Sequence, residues 1–153
     1  MHAGIARGGA GYHRSAALGI QCVLRLGDGQ EGRRKKLTDA ARYWAEGGAS
    51  GRDELDADAA FFGIDAETAA EPAADFEVFE DNWLTVMTFL RCGTQWRHAG
   101  MEGIRTGLDY PSVETVLHMM VPARERRAVF EGIQIMEHAA LDVFAQRAAA
   151  RKH

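Results

Sequence analysis

The residues best suited to chemistry lie in one stretch, Phe89–Gly100, which reads "FLRCGTQWRHAG". It places the thiol of Cys92 six positions before the imidazole of His98. A thiol-dependent hydrolase needs a cysteine that is held by a base and by a group that orients the base. The Gly-Thr-Gln-Trp turn between Cys92 and His98 matches no nucleophile elbow. We therefore interpret Cys92 as a buried, inert thiol.

A second candidate is a metal site. Glu114 and His118 are spaced i, i+4, and Glu137 and His138 follow on a later predicted helix. Carboxylate metal sites in helical bundles use Glu-x-x-His on facing helices together with several more inward acids. These spacings do not match that pattern, so surface histidines and solvated glutamates are favoured. No metal and no cofactor is expected.

Charge is distributed unevenly along a chain whose net charge is −4. Residues 1–48 sum to +4, residues 49–81 to −10 and residues 82–153 to +2. The dense basic cluster, Arg33–Lys36, is interpreted as the solvated start of a helix rather than as a nucleic-acid site. Neither a nucleic acid nor a membrane is an expected partner.

The size and composition indicate one globular protein. The chain has 153 residues, of which 46% are hydrophobic and 26% charged. No apolar run approaches the roughly 18 residues that a membrane-spanning helix needs, and no secretory signal is expected. Two distant cysteines are typical of free thiols in a reducing cytoplasm. The expected location is therefore the cytoplasm.

The elements that position these residues fall into two regions. Residues 1–36 contain eight of the 17 glycines without a helical apolar period, which predicts a flexible, weakly ordered arm. A chain starting at Leu37 is therefore expected to melt close to the full chain. Residues 37–150 are predicted to form a single helical domain, with a looser acidic part over 37–75 and a compact core over 76–150.

The looser part is predicted to hold two short helices. Thr38 is predicted to be the N-cap of the first of them, and Gly47 with Gly48 is predicted to end it. The second covers residues 55–64 and is closed by Gly63. An acidic connector broken by Pro72 follows.

The compact core is predicted to hold three helices. Asp81 or Asn82 caps the first, which runs from Trp83 to Cys92 and ends at a left-handed Gly93. Residues 97–110 form a glycine-punctuated loop, and "YPSVETVLHMM" is the next helix, with Pro111 suited to its first turn. Pro122 opens the longest helix, which runs to about residue 149. No run alternates with a period of two, so the predicted fold is all-α, a small helical bundle.

The opening stretch then fits a structural corner. Thr94 and Gln95 are expected to hydrogen bond backbone groups at the turn, and Trp96 to fold back as a buried apolar anchor. Together with Trp83 and Tyr110, these residues are the candidate site, either as this corner or as a partner-binding surface.

Four motifs resemble a phage-related family of unknown function from the tail gene clusters of siphophages and prophages. The motifs are Asn82-Trp83, Thr94-Gln95-Trp96, Gly107-Leu108-Asp109-Tyr110, and Met136-Glu137 with Ala140-Leu141. The resemblance covers about residues 76–147. "ARYWAEGG" fits more loosely an alanine-rich segment that precedes the motifs.

The resemblance implies assembly work without catalysis. Members of that family are encoded between the genes for the tail tube and the tape-measure protein, the position of a tail-assembly chaperone. The implied function is to mask apolar helical surface of the tape-measure protein in the host cytoplasm. Other tail components and a second copy of the chain are further expected partners. The alternatives are a minor tail protein kept in the virion and, more distantly, a metal- or thiol-dependent hydrolase that uses Cys92, His98 and His118.

Overall fold

A computed structural model describes residues 14–15, 20–23, 29–48 and 76–151. Within these residues the chain forms five strands and four helices. In chain order they are β1 (Arg14–Ser15), β2 (Ile20–Val23), α1 (Gly29–Ala45), β3 (Phe76–Phe79), α2 (Glu80–Arg91), β4 (Trp96–Ala99), β5 (Ile104–Leu108), α3 (Tyr110–Met120) and α4 (Arg126–Ala150).

The predicted all-α bundle is wrong, because two small sheets accompany the helices. In the first sheet β2 lies in the middle, antiparallel to β1 and parallel to β3. Ile20 stands opposite Phe76, so the paired strands lie 56 positions apart in the sequence. Strands of four residues are too short to show a clear alternation, and a distant pairing leaves no local pattern.

The second sheet is the β4–β5 hairpin, which replaces the predicted loop over residues 97–110. Its strands show no apolar alternation because most of their residues are exposed. The buried pair is Trp96 opposite Leu108, at the base of the hairpin. Gly100 and Gly103 form the turn with φ of 71° and 63°, values that glycine adopts without steric cost.

Of the predicted weakly ordered arm over residues 1–36, the structure describes β1, β2 and the first eight residues of α1. α1 begins at Gly29, so the expected boundary between residues 36 and 37 falls inside this helix. Thr38 is not an N-cap; its hydroxyl donates to the carbonyl oxygen of Arg34 within the helix. Ile20 on β2 is 1% exposed and belongs to the hydrophobic core. β2 therefore contributes buried apolar contacts, which the glycine content of this segment did not predict.

The second short helix, predicted over residues 55–64, and the connector through Pro72 lie outside the described residues. The helix predicted after them is present as α2, but both of its ends differ from the prediction. It starts at Glu80, and the cap position Phe79 makes no side-chain hydrogen bond. Asn82 lies inside the helix and its Nδ2 donates to the carbonyl oxygen of Arg33 over 3.0 Å, which ties α2 to α1.

Gly93 follows the end of α2, but it does not have the left-handed conformation that we predicted. Its φ is not among the positive values found in the described chain. A β-carbon at this position would lie 3.0 Å from the carbonyl oxygen of Leu90 and 3.7 Å from the Trp44 ring. Close packing therefore favours glycine here.

The helix predicted over "YPSVETVLHMM" is present as α3, with the same bounds and with Pro111 in its first turn. The longest helix, α4, begins at Arg126 rather than at Pro122. The residues between these positions form a turn, and Arg126 donates through Nε to the carbonyl oxygen of Val121 at the end of α3.

The core is built mainly by packing α1 along α4, with α2 closing one side. At Gly132, α4 approaches α2 so closely that a β-carbon would lie 2.6 Å from Cγ2 of Thr85. At the far end of α4, Arg147 donates to the carbonyl oxygens of Ala45 and Glu46 over 2.8 and 2.6 Å, and so caps α1. None of the helices described is long and apolar enough to cross a membrane.

Candidate functional site

Glu137 on α4 is a buried acid at the centre of a junction. It is 5% exposed, between Met136 and Ala140 of the apolar stripe of α4. Its Oε1 accepts a hydrogen bond from the backbone N–H of Leu108 over 2.6 Å, and its Oε2 accepts one from the hydroxyl of Tyr110 over 2.8 Å. One carboxylate therefore joins the end of β5 and the start of α3 to α4. The prediction that Glu137 is a solvated glutamate is wrong.

Gly107 allows the hairpin to approach this acid. A β-carbon at Gly107 would lie 3.0 Å from Oε1 of Glu137, tighter than most such contacts. Its φ of 155° also favours glycine. The glycine of the Gly-Leu-Asp-Tyr motif therefore makes room for the hydrogen bond from Leu108.

Asp109 links the corner to α3. Its side chain accepts hydrogen bonds from the hydroxyl and the backbone N–H of Ser112, over 2.6 and 3.2 Å, and so caps α3. These bonds, the side-chain bond first, lower the pKa of Asp109 below its ordinary value. The backbone N–H of Asp109 donates to the carbonyl oxygen of Gln95 over 2.8 Å. A backbone hydrogen bond thus joins the predicted corner to the Gly-Leu-Asp-Tyr turn.

Tyr110 forms the outer edge of the junction. Its ring meets Phe130 at a centroid distance of 5.3 Å in an edge-to-face arrangement. Desolvation raises the pKa of Tyr110, and the hydrogen bond to Glu137 raises it further. The phenol therefore stays protonated at neutral pH and donates its proton to the carboxylate.

Trp96 is the centre of an aromatic cluster contributed by α1, α2, β4 and α4. It is 7% exposed. Its ring stacks on Trp44 at 6.0 Å and meets Phe144 and Phe89 edge-to-face at 5.5 and 6.3 Å. The guanidinium of Arg105 lies 4.3 Å from the Phe144 ring, a cation–π contact that the sequence did not reveal.

The remaining candidate residues take less central positions. Gln95 donates through Nε2 to the hydroxyl of Thr94 over 3.0 Å. The side-chain bonds that we expected from Thr94 and Gln95 to backbone groups do not occur among the described residues. Instead the backbone of Gln95 makes the connections, to Cys92 and to Asp109. Trp83 is half-buried on α2 and packs against the core.

The residues considered for a hydrolase or a metal site, Cys92, His98 and His118, do not form one site. His118 is exposed on α3, where Nδ1 contacts the carbonyl oxygen of Glu114, and His98 is exposed on β4. In the part of the chain described, no three His, Cys, Asp or Glu side chains are grouped so that they could hold a metal ion. Cys92 is fully buried, and desolvation raises the pKa of its thiol to about 11.

The thiols offer a direct test of this environment. At pH 8 a pKa of about 11 leaves about one Cys92 in a thousand as the reactive thiolate. Cys22 is buried as well, and desolvation also raises its pKa. We expect a thiol reagent to label the folded protein slowly at pH 8 and both cysteines at once after unfolding in denaturant. Rapid labelling of Cys92 in the folded protein would instead support a thiol-dependent hydrolase.

The junction offers a second test. Glu137→Leu would leave the buried N–H of Leu108 without its acceptor and is expected to lower the free energy of unfolding by about 1–3 kcal/mol. Tyr110→Phe is the matched control. It is expected to cost less, because Tyr110 is 39% exposed and water can replace its hydroxyl. Urea unfolding of both variants measures the difference, and a larger loss for Tyr110→Phe would refute this account of the junction.

The geometry defines a small mixed protein in which a hairpin and two helices are joined by a buried acid. The chain belongs to the family described as phage related hypothetical protein (DUF1799), whose model matches residues 62–144. No curated protein and no solved structure matches the chain. The motifs that carry the resemblance lie within the matched residues, and three of them meet at Glu137 and Asp109.

Proposed function

We propose that this protein is a non-catalytic tail-assembly chaperone that binds the tape-measure protein in the cytoplasm of the host bacterium. The family supports a relation to bacteriophages. The observation that carries the chaperone proposal is the nature of the exposed apolar side chains. In the described chain the large ones are Met101, Ile104, Tyr110, Met119 and Met120.

Methionines make up most of this set and occupy two places. Met101, fully exposed, lies in the turn of the β4–β5 hairpin, and Met119, 83% exposed, lies at the end of α3. An unbranched thioether side chain adapts to many partner shapes, and exposed methionines are over-used at surfaces that bind varied sequences. A chaperone that coats successive parts of a long helical protein needs such contacts.

Co-expression with the tape-measure protein tests this function. We expect the parent protein to keep the tape-measure protein soluble and to co-purify with it. Met101→Ser with Met119→Ser should reduce both effects without changing the melting temperature, since both side chains are exposed. Thr106→Ser, an exposed hairpin change, is the control. If the parent protein neither binds nor solubilises the tape-measure protein, the proposal is wrong.

Mass spectrometry of purified virions separates the chaperone from a minor tail protein. A chaperone is released before the tube is complete and is expected to be absent from particles. Its presence in virions at a fixed stoichiometry would instead identify a structural tail component.

A further inference from the structure

A groove runs between α1 and α4, and its lining residues all lie on these two helices. Its volume is about 670 Å³. The α1 wall presents successive turns of one helical face, marked by Gln30, Arg34, Thr38 and Arg42. These positions span 12 residues, which corresponds to roughly 18 Å of helix. The groove is therefore long enough to hold about three turns of another helix.

The floor of the groove is apolar and shallow. Leu37 and Ala139 are buried there, and Ile135 is partly buried. Gly132 adds no side chain to this lining, and a β-carbon there would lie 3.3 Å from Cδ1 of Leu37. Helices that dock in grooves of this kind present an apolar stripe to the floor and polar residues to the walls.

The α1 wall is basic. Arg34 and Arg42 are exposed, and among the described residues neither side chain makes an ion pair or a hydrogen bond. The α4 wall is weakly acidic: Asp142 is exposed, whereas Glu131 is already paired with Arg127 at 3.1 Å. The unpaired charge of the groove is therefore predominantly positive, and an acidic occupant complements it.

A protein helix fits this groove better than a nucleic acid. Asp142 and Glu131 on the α4 wall would repel a uniform polyanion, and the apolar floor offers nothing to a phosphate backbone. A separate chain fits better than the acidic stretch of this chain. Phe76, the first described residue after the acidic residues 49–75, stacks on Tyr43 at 5.2 Å. Tyr43 lies on the flank of α1 opposite Arg34 and Thr38, by the helical spacing of these positions.

We propose that the α1–α4 groove binds an acidic amphipathic helix of a partner protein. The inference rests on the proposed function for the identity of that partner: the helix belongs to the tape-measure protein. Its apolar stripe contacts Leu37 and Ile135, and its acidic residues pair with Arg34 and Arg42.

Two synthetic helices and three full-length proteins test the groove. The first peptide has 18 residues with a leucine stripe and glutamates on its polar face, and the second has lysine in place of every glutamate. The proteins are the parent, the double variant Arg34→Glu with Arg42→Glu, and the control Arg124→Glu. The Arg124 side chain is 85% exposed and lies in the turn before α4, outside the groove. Fluorescence anisotropy measures binding.

We expect the glutamate peptide to bind the parent and the Arg124→Glu control equally. The double variant should bind it at least about tenfold more weakly, which corresponds to about 1.4 kcal/mol, and should bind the lysine peptide instead. No binding of the glutamate peptide to the parent, or equal binding to the double variant, overturns the proposal. A single-stranded DNA 20-mer that binds as tightly as the peptide would show a general anion surface and would also overturn it.

Two further outcomes concern the occupant. If replacing Asp53, Glu54, Asp56 and Asp58 by serine tightens peptide binding tenfold, the chain's own acidic stretch occupies the groove, and the partner assignment is wrong. If the double variant still solubilises the tape-measure protein, the groove inference fails while the proposed function stands. If the parent protein does not solubilise the tape-measure protein, the proposed function fails, whatever the peptides show.

Discussion

Trp96→Ala is expected to lower the free energy of unfolding by about 3–5 kcal/mol, the usual cost of truncating a buried aromatic side chain. The indole is 7% exposed and touches aromatic rings from α1, α2 and α4, so its removal leaves a cavity that no single element can fill. Small domains are stable by about 5–15 kcal/mol, so the variant is expected to be marginally folded. Thermal and urea unfolding measure the loss.

Two companion variants sharpen this test. Trp83→Ala is the matched control and is expected to cost less, because Trp83 is only half-buried. Trp96→Phe is expected to be intermediate, because it keeps part of the ring packing and removes an indole N–H that is buried without a hydrogen-bond partner. If Trp96→Ala melts like the parent but no longer binds the tape-measure protein, Trp96 is a docking residue and the packing account is wrong.

Deletion of residues 1–28 is expected to be at least as damaging as the loss of Trp96. It removes β2, and with it Ile20 and Cys22 from the core and the parallel partner of β3. Removing the Ile20 side chain alone would cost about 2–5 kcal/mol, and the deletion adds the loss of a strand pairing. Circular dichroism and thermal melting of a chain that begins at Gly29 check this expectation.

Ile20→Val calibrates the deletion, with an expected cost of about 0.5–1.5 kcal/mol. The contrasting result is a chain starting at Leu37 that melts within a few degrees of the full protein. That outcome would show that residues 1–36 are dispensable, as the sequence predicts, and that the burial of Ile20 contributes little to stability.

The helices were largely predictable, and the sheets were not. α2, α3 and α4 carry apolar residues at helical spacing over eleven or more positions, which is a local signal. β2 pairs with β3, which follows α1 in the sequence, and most side chains of the β4–β5 hairpin are exposed to solvent. Both features depend on tertiary contacts that no short window of sequence records.

The candidate site was predictable in its apolar part. Trp96 follows a helix end and is large, so burial was a sound expectation. Glu137 was missed because an acid within a helix is usually solvated. Its position next to Met136 and three residues before Ala140 was an available signal, since both of those residues lie on the buried stripe. The hydrogen bonds that make its burial tolerable depend on the distant hairpin.

The contact between Arg147 and Ala45 joins positions 102 residues apart. During synthesis at about 5–20 residues per second, α1 leaves the ribosome roughly 5–20 s before the end of α4 that caps it. Through that interval the apolar face of α1, with Leu37, Ala41 and Ala45, lacks its main packing partner. The first of the described helices to be made is therefore among the last to be buried, and a nascent chain stopped before α4 keeps this apolar face exposed.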